Sequence, residues 1–263
     1  KNVNDAIEKF FGVKAGKWLN VTPTEKTKLA ERYCNLIATG ESGVGSNPTI
    51  TILDNCEGQH PYDFTKTFMS LTFNNKIKIS FNQGKFGMGS FGAVNFCKKY
   101  GLQLIISKKN PFLVPSGQSN DWGFTVVRKI PPNNKEKSSK WQYLIIDNEI
   151  ASFAKDDLKL YPGKFPNPYG GNFPFGSFVK LYNYELGSLR TNIVFDLNFR
   201  INALLVNPVV PVRFHERRES YKGKSLEATL DGLETKIERD RSNVLEEGFP
   251  SNFSFNIKNQ TFI

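Results

Sequence analysis

The sequence predicts an α/β fold: a two-layer α+β sandwich in which a mixed sheet carries its helices on one face. Three observations predict it. Helix-like and strand-like segments interleave through the first half, then give way to a run of strands with one late helix. Thr49 to Leu53 is almost continuously β-branched or apolar, the composition of a buried strand. Hydrophobic residues make up 39% of the 263, and 23 of them are Phe, which supplies the bulk for one large core.

Taken in order, Asn2 to Phe11 reads as a helix closed by Gly12. Thr24-Glu25-Lys26-Thr27 opens a second helix with a capping pattern, which runs to about Ala38 before Gly40. Glu41 to Asn47 is a Gly/Ser loop that leads into the Thr49–Leu53 strand. Pro61 to Leu71 reads as a helix with its proline near the first turn. Residues 72–89 are rich in Gly and Asn and read as a mobile connection. Ser90 to Tyr100 reads as a helix that offers Phe91, Val94 and Phe96 for packing. Leu102–Ser107, Trp122–Ile130 and Trp141–Asp147 read as successive strands, with Pro131 to Lys140 a polar hairpin connection. Tyr161 to Phe175 is a Pro/Gly/aromatic loop, and Ser177 to Tyr184 alternates like a strand. Leu189 to Val206 reads as a helix stopped by Asn207-Pro208, and Val209 to Phe214 as a further strand. Residues 1–206 are therefore expected to form one domain. The charged stretch 207–263 reads as a linker and the start of a second domain. No internal repeat is present.

Composition narrows the function classes. No apolar run approaches the length of a membrane span, and the first residues are polar, so neither an anchor nor a signal peptide is expected. Cys34, Cys56 and Cys97 form an odd set without a C-x-x-C spacing, which predicts free thiols in a reducing, cytoplasmic setting. Cys97, among apolar neighbours, is expected in the core. With two histidines, the chain has little material for a zinc site or a Ser-His-Asp triad. The net charge of +10 fits a nucleic-acid partner, since Lys and Arg release counterions from phosphates; it fits a solvated lysine-rich surface equally well.

Two segments carry chemistry. The strand stops at Asp54-Asn55, so that an acceptor-only carboxylate stands at a strand end, where it can take a hydrogen bond from an exocyclic amino group. Gly58 comes soon after. Downstream, Gly84-Lys85-Phe86-Gly87-Met88-Gly89 opens a helix. Its glycines let phosphate oxygens approach backbone amides, and the helix adds its N-terminal partial positive charge. Lys76 and Lys85 are candidate phosphate partners, and solvated lysines otherwise. Leu71-Thr72-Phe73-Asn74-Asn75-Lys76 lies between the two segments, where a lid over a bound nucleotide would lie; a surface loop is the other reading. An Asp-Asn turn or a glycine loop alone would be ordinary turn chemistry. Together and in this order they read as the two halves of a purine-nucleotide site.

This order resembles the ATPase family of DNA gyrase, heat-shock chaperones, histidine kinases and MutL mismatch-repair proteins (GHKL), whose domain has the Bergerat fold. The resemblance covers residues 1 to about 206. Asn2-Val3-Asn4-Asp5-Ala6 matches the family's Asn-x-x-Asp-Ala, which implies that Asn2 ligates magnesium, with Asp5 and Ala6 beside the nucleotide. The resemblance further implies Asp54 as the adenine reader, Gly58 as the close-approach glycine, and Gly84, Gly87 and Gly89 as the phosphate loop. Gly176-Ser177 fits the late Gly-Thr with a conservative change. Cys56 stands where the family has glycine. The family's catalytic Glu, four residues before the Asn, would precede Lys1, so no catalytic residue is assigned.

The resemblance implies an ATP- and Mg²⁺-dependent switch, an ATPase whose lid closure drives a conformational change or an ATP-dependent homodimer. The alternative is a non-catalytic nucleotide-sensing or nucleic-acid-binding module, which the basic charge and aromatic content favour. A histidine kinase fits less well, since neither His60 nor His215 lies in a dimerisation helix ahead of the motifs.

Overall fold

The computed structural model describes residues 2–43, 45–70, 89–187, 191–223, 226–239, 255–257 and 260–262. In chain order its elements are helix α1 (Val3–Phe11), helix α2 (Pro23–Tyr33), strands β1 (Cys34–Thr39) and β2 (Thr49–Asp54), a 3-10 turn (Pro61–Lys66) and helix α3 (Gly89–Val94). Next come strands β3 (Leu102–Lys108), β4 (Trp122–Ile130), β5 (Lys140–Tyr143), β6 (Ala151–Phe153), β7 (Leu158–Tyr161), β8 (Gly171–Phe173) and β9 (Gly176–Leu181). The described chain then runs through α4 (Asp196–Leu204), β10 (Val212–Glu216), β11 (Glu227–Leu230), α5 (Leu233–Arg239), β12 (Phe255–Ile257) and β13 (Gln260–Phe262).

Nine strands form one mixed sheet in the order β11-β10-β1-β2-β9-β3-β4-β5, with β6 also paired to β4. Only the β1–β10 pair in it is parallel; the other neighbours are antiparallel. The α/β class expected from the sequence is what the chain adopts. The helices expected on one face lie on both, α4 on one and α2 on the other, because each face of the sheet has apolar and polar side chains to cover.

Side chains alternate across a strand, so each face of the sheet builds its own core. On one face Ala38, Ile50, Phe214 and Leu230 pack with Ile193 and Val194 and with Leu197 and Ile201 of α4. Further along that face, Ile105 and Val127 pack with Phe64 of the 3-10 turn. On the opposite face Leu53, Trp122, Phe173 and Phe178 form a cluster covered by the β7–β8 hairpin. α2 joins that second face: Thr27 bonds Thr229 at 2.8 Å, and Glu31 pairs with Arg213. Each fully buried side chain of this size contributes about 1.5–3 kcal/mol.

Several local expectations are corrected, each by a long-range partner. α2 ends at Tyr33 rather than Ala38, because Cys34–Thr39 is a strand held between β2 and β10. The helix expected over Pro61–Leu71 is a six-residue 3-10 turn, capped by the His60 ring. α3 stops at Val94: Lys98 N–H bonds Asn183, Glu185 N–H bonds Phe96, and Cys97 bridges Tyr184 in β fashion. Cys97 is buried as expected, in a turn and not in a helix. α4 begins at Asp196 and not at Leu189; the Ile193 amide is taken by the buried Glu216 carboxylate, which also holds Arg218 at 2.7 Å. The Tyr161–Phe175 loop contains β8. β10 and β11 also correct the expected boundary after residue 206, since both are strands of the main sheet and not parts of a linker. The expected connection over 72–89 lies outside the described residues except for Gly89. No helix among the described residues is long and apolar enough to cross a membrane.

Candidate functional site

Asp54 closes β2, directly opposite Ser177 at the start of β9; Ser177 in turn faces Ser107 near the end of β3. Direct cross-strand partners share a sheet face, so a carboxylate and two hydroxyls form a row across three central strands. The Ser107 hydroxyl donates to the Gly176 carbonyl at 2.7 Å and accepts the Gln59 amide at 2.9 Å. Its Oγ also lies 3.3 Å from the Ser177 Oγ. Ser107 has one proton, already given to Gly176, so the Ser177 hydroxyl is the donor in that contact. Ser177 Oγ is left with its lone pairs, beside the acceptor-only Asp54. Two acceptors side by side suit a donor group such as an amine.

The backbone is packed tightly around this row. Gly58 has φ +61, and a Cβ there would run into the Lys108 carbonyl. Gly176 has φ +118, and a Cβ there would run into the Asp54 carbonyl. Both are left-handed positions that glycine takes without steric cost, and both let two segments touch backbone to backbone. The turn after Asp54 is pinned by Asn55 N–H, which bonds the Tyr33 carbonyl at 3.0 Å; the Tyr161 hydroxyl holds the Arg32 carbonyl at 2.6 Å. Burial pushes the Tyr161 phenol up to about 12.

Two thiols flank the carboxylate. Burial, helped by the Asp54 charge, pushes Cys34 up to about 12. Cys56, exposed at the surface, is pushed up to about 12 by the protein packed around its thiol and by Asp54, to which it hydrogen-bonds. Both stay protonated at neutral pH, which removes them as nucleophiles.

Ile50, Ile52 and Asp54 lie on one face of β2. Ile50 is 3% exposed, but Ile52, in the middle of a nine-stranded sheet, is 39% exposed. Along β2, packing on that face therefore thins after Ile50, although it resumes on β3 and β4 around Ile105 and Val127. Beyond Ile50 lies a shallow apolar floor, Ile52, with Asp54 and Ser177 at its rim.

The other expected residues lie apart from this row or outside the described chain. Asn2 is the N-cap of α1; its side-chain oxygen accepts the Asp5 amide at 2.9 Å, and the Asp5 carboxylate accepts the Asn2 amide. Ala6 is in the same turn. The other end of α1 approaches the site, since the Phe11 ring meets Tyr33 edge-on at 5.1 Å. Asn2 stands about 13 Å up the helix axis from Phe11, at 1.5 Å per residue. Gly89 begins α3 with open space around its Cα. Leu71, Lys76, Gly84, Lys85, Phe86, Gly87 and Met88 lie outside the described residues. Among the described residues no group of three or more His, Cys, Asp or Glu could hold a metal ion. Sequence reasoning missed Ser107, Gln59 and Ile52; the polar Ser107 near the end of an otherwise apolar strand is the one signal that could have pointed to the first.

No protein-family model matches the chain, and no curated protein matches it. Among solved structures it is similar to the topoisomerase IV ATP-binding domain of Francisella tularensis in complex with a small-molecule inhibitor. The two are 12% identical with a TM-score of 0.33, over 97% of this chain and 55% of the other. This chain thus spans about half the length of that protein. The sheet itself, and not that likeness, carries the α/β description.

Proposed function

We propose that the chain binds an adenine nucleotide, with the base lying on Ile52 and its exocyclic amino group donating to Asp54. The observation that supports this reading is the Asp54–Ser177 pair, two acceptors at the rim of an uncovered apolar floor on a central strand. Gly58 and Gly176 let the neighbouring backbone segments pack against each other, which fixes the strand-end turn that carries Asp54. In the same proposal the Gly84–Gly89 loop, with Lys76 and Lys85, carries the phosphates.

The finer reading is an ATP-operated switch of the GHKL class, in which the 71–88 segment closes over ATP, promotes a homodimer and leads to hydrolysis. Its support is the motif order in the sequence. Magnesium enters on the same ground: Asn2 would supply one oxygen, although its Oδ1 already accepts the Asp5 amide. Bound Mg²⁺ would neutralise phosphate charge.

Calorimetry with ATP tests the base assignment. Asp54→Asn replaces an acceptor-only carboxylate with a neutral amide, and affinity should fall by about 1.5–3 kcal/mol, roughly ten- to a hundredfold. Equal affinities for the two proteins would sink it. Magnesium-dependent phosphate release, and an increase in mass by light scattering with a non-hydrolysable ATP analogue, test hydrolysis and dimerisation separately.

A further inference from the structure

We infer that the β4–β5 end of the sheet is a binding surface for single-stranded nucleic acid, distinct from the nucleotide site. A cleft of about 380 Å³ opens there between the turn after α3 and the end of β4. Its lining includes Lys98, Lys99, Arg128 and Lys129, and Pro131 continues it into the β4–β5 hairpin. That hairpin adds the exposed Lys135 and Lys137. Its turn is ordered: Asn133 and Glu136 exchange backbone bonds at 2.8 and 3.2 Å, and the Asn133 side chain accepts the Lys135 and Glu136 amides. The cations are therefore held on a fixed element.

Carboxylates only partly offset this charge. Glu185 pairs with Lys98 at 3.0 Å, Glu41 with Lys99 at 3.7 Å, and Glu136 with Lys140. Among the described residues Arg128, Lys135 and Lys137 pair with no carboxylate, and Lys129 is held by the neutral Asn95 at 2.8 Å. Phosphates are the groups such an array suits, because each cation that meets one releases a counterion.

An aromatic ring selects the single-stranded form. Tyr100 lines the cleft, is 50% exposed, and carries the Lys99 ammonium 5.1 Å from its ring centre. A cation beside an open ring is the arrangement that stacks an unpaired base while holding its phosphate. The cleft has the volume of a small-ligand pocket, enough for one nucleotide unit and too small for a duplex. The adjoining hairpin lysines would hold the phosphates on one side of it.

Fluorescence anisotropy with labelled oligo-dT and oligo-rU, over a range of salt, tests the surface. Wild type should bind both, and the variant R128Q/K135Q/K137Q should bind at least tenfold more weakly. Its slope of log affinity against log salt should be shallower by roughly 2, about 0.7 for each lost phosphate contact. Tyr100→Ala should weaken binding about fivefold or more and leave the slope unchanged. Saturating ATP should not displace the oligonucleotide, which keeps the result independent of the Asp54 site. The proposal fails if wild type does not bind, if the triple variant, folded by circular dichroism, matches wild type in affinity and slope, if a duplex of equal length binds more tightly, or if poly-glutamate competes equally well.

Discussion

Gly58 and Gly12 share a left-handed backbone, at φ +61 and +68, yet they face different surroundings. Nothing lies within 4 Å of a Cβ at Gly12, which ends α1, so Gly12→Ala should cost only the conformational penalty, about 1–2 kcal/mol. At Gly58 the same methyl meets the Lys108 carbonyl, part of a β3 strand paired on both sides. Neither backbone can yield without disturbing the row from Asp54 to Ser107, so Gly58→Ala should cost on the order of 3 kcal/mol or more. Urea unfolding of the two variants compares them directly; equal losses would show that the close approach carries no weight. Gly58 was singled out by the family resemblance alone; its contact with the Lys108 carbonyl comes from the fold. Ser107 was not legible, because a serine in an apolar strand gains its meaning from Gly176 and Gln59, which are remote in sequence and brought near only by the register.

β10 joins its neighbours through a buried polar network as well as through the ladder. His215 Nε2 lies 2.9 Å from the Asn35 side-chain oxygen on β1, and Nδ1 lies 3.3 Å from an Arg217 nitrogen and 3.3 Å from Glu227 on β11. Since Asn35 accepts and Arg217 donates, the neutral ring with its proton on Nε2 satisfies both. Burial pushes His215 below the usual imidazole range; Glu227 pulls it up, and Arg217 and Arg213 push it down further. The unfolded ring titrates near 6.5. As the pH drops through that value the unfolded chain takes up a proton that the folded chain refuses. Stability should therefore be complete above about pH 7 and fall as the pH is lowered toward the depressed folded value, by at most about 1.4 kcal/mol per pH unit. His215→Gln should flatten the profile between about pH 7 and 5; parallel profiles for the two proteins would remove His215 as the cause. At this scale legibility followed locality. β2, β3 and β4 were plain from their apolar, β-branched runs. β1 was not, because Cys34-Asn35-Leu36-Ile37 continues a helix-compatible pattern and becomes a strand through pairing with β10, some 180 residues on. α4 was overextended because nothing local says that Glu216 will take the Ile193 amide.

Over the whole molecule, the main sheet closes only when the chain returns. β1 leaves after α2, yet its outer neighbour β10 arrives after residue 211, and β11 covers β10 in turn. The fold class was legible without this return, because alternating helix and strand signals already imply a layered α/β domain. The domain boundary was not, since Asn207-Pro208 looks like a linker until Val212–Glu216 is seen between two other strands. If the sheet is one cooperative unit, a chain ending at Val206 loses far more than a tail. It leaves β1 as an open edge, strips the Thr229 partner from α2, and removes Phe214 and Leu230 from the cluster over Ala38 and Ile50. Those two side chains alone represent about 3–6 kcal/mol of burial. That is comparable with the roughly 5–15 kcal/mol by which a whole domain is typically stable. The freed Ile193 amide and the lost β1–β10 bonds add to the deficit. Residues 1–206 should therefore show no cooperative thermal transition, whereas a chain ending at Arg239 should melt in a single one. Because the floor at Ile52 lies on β2, next to the exposed β1, the shorter chain should also lose the nucleotide binding proposed for that floor. A sharp melt together with intact ATP binding in residues 1–206 would return the boundary to residue 206 and make β10 and β11 an accessory to the sheet.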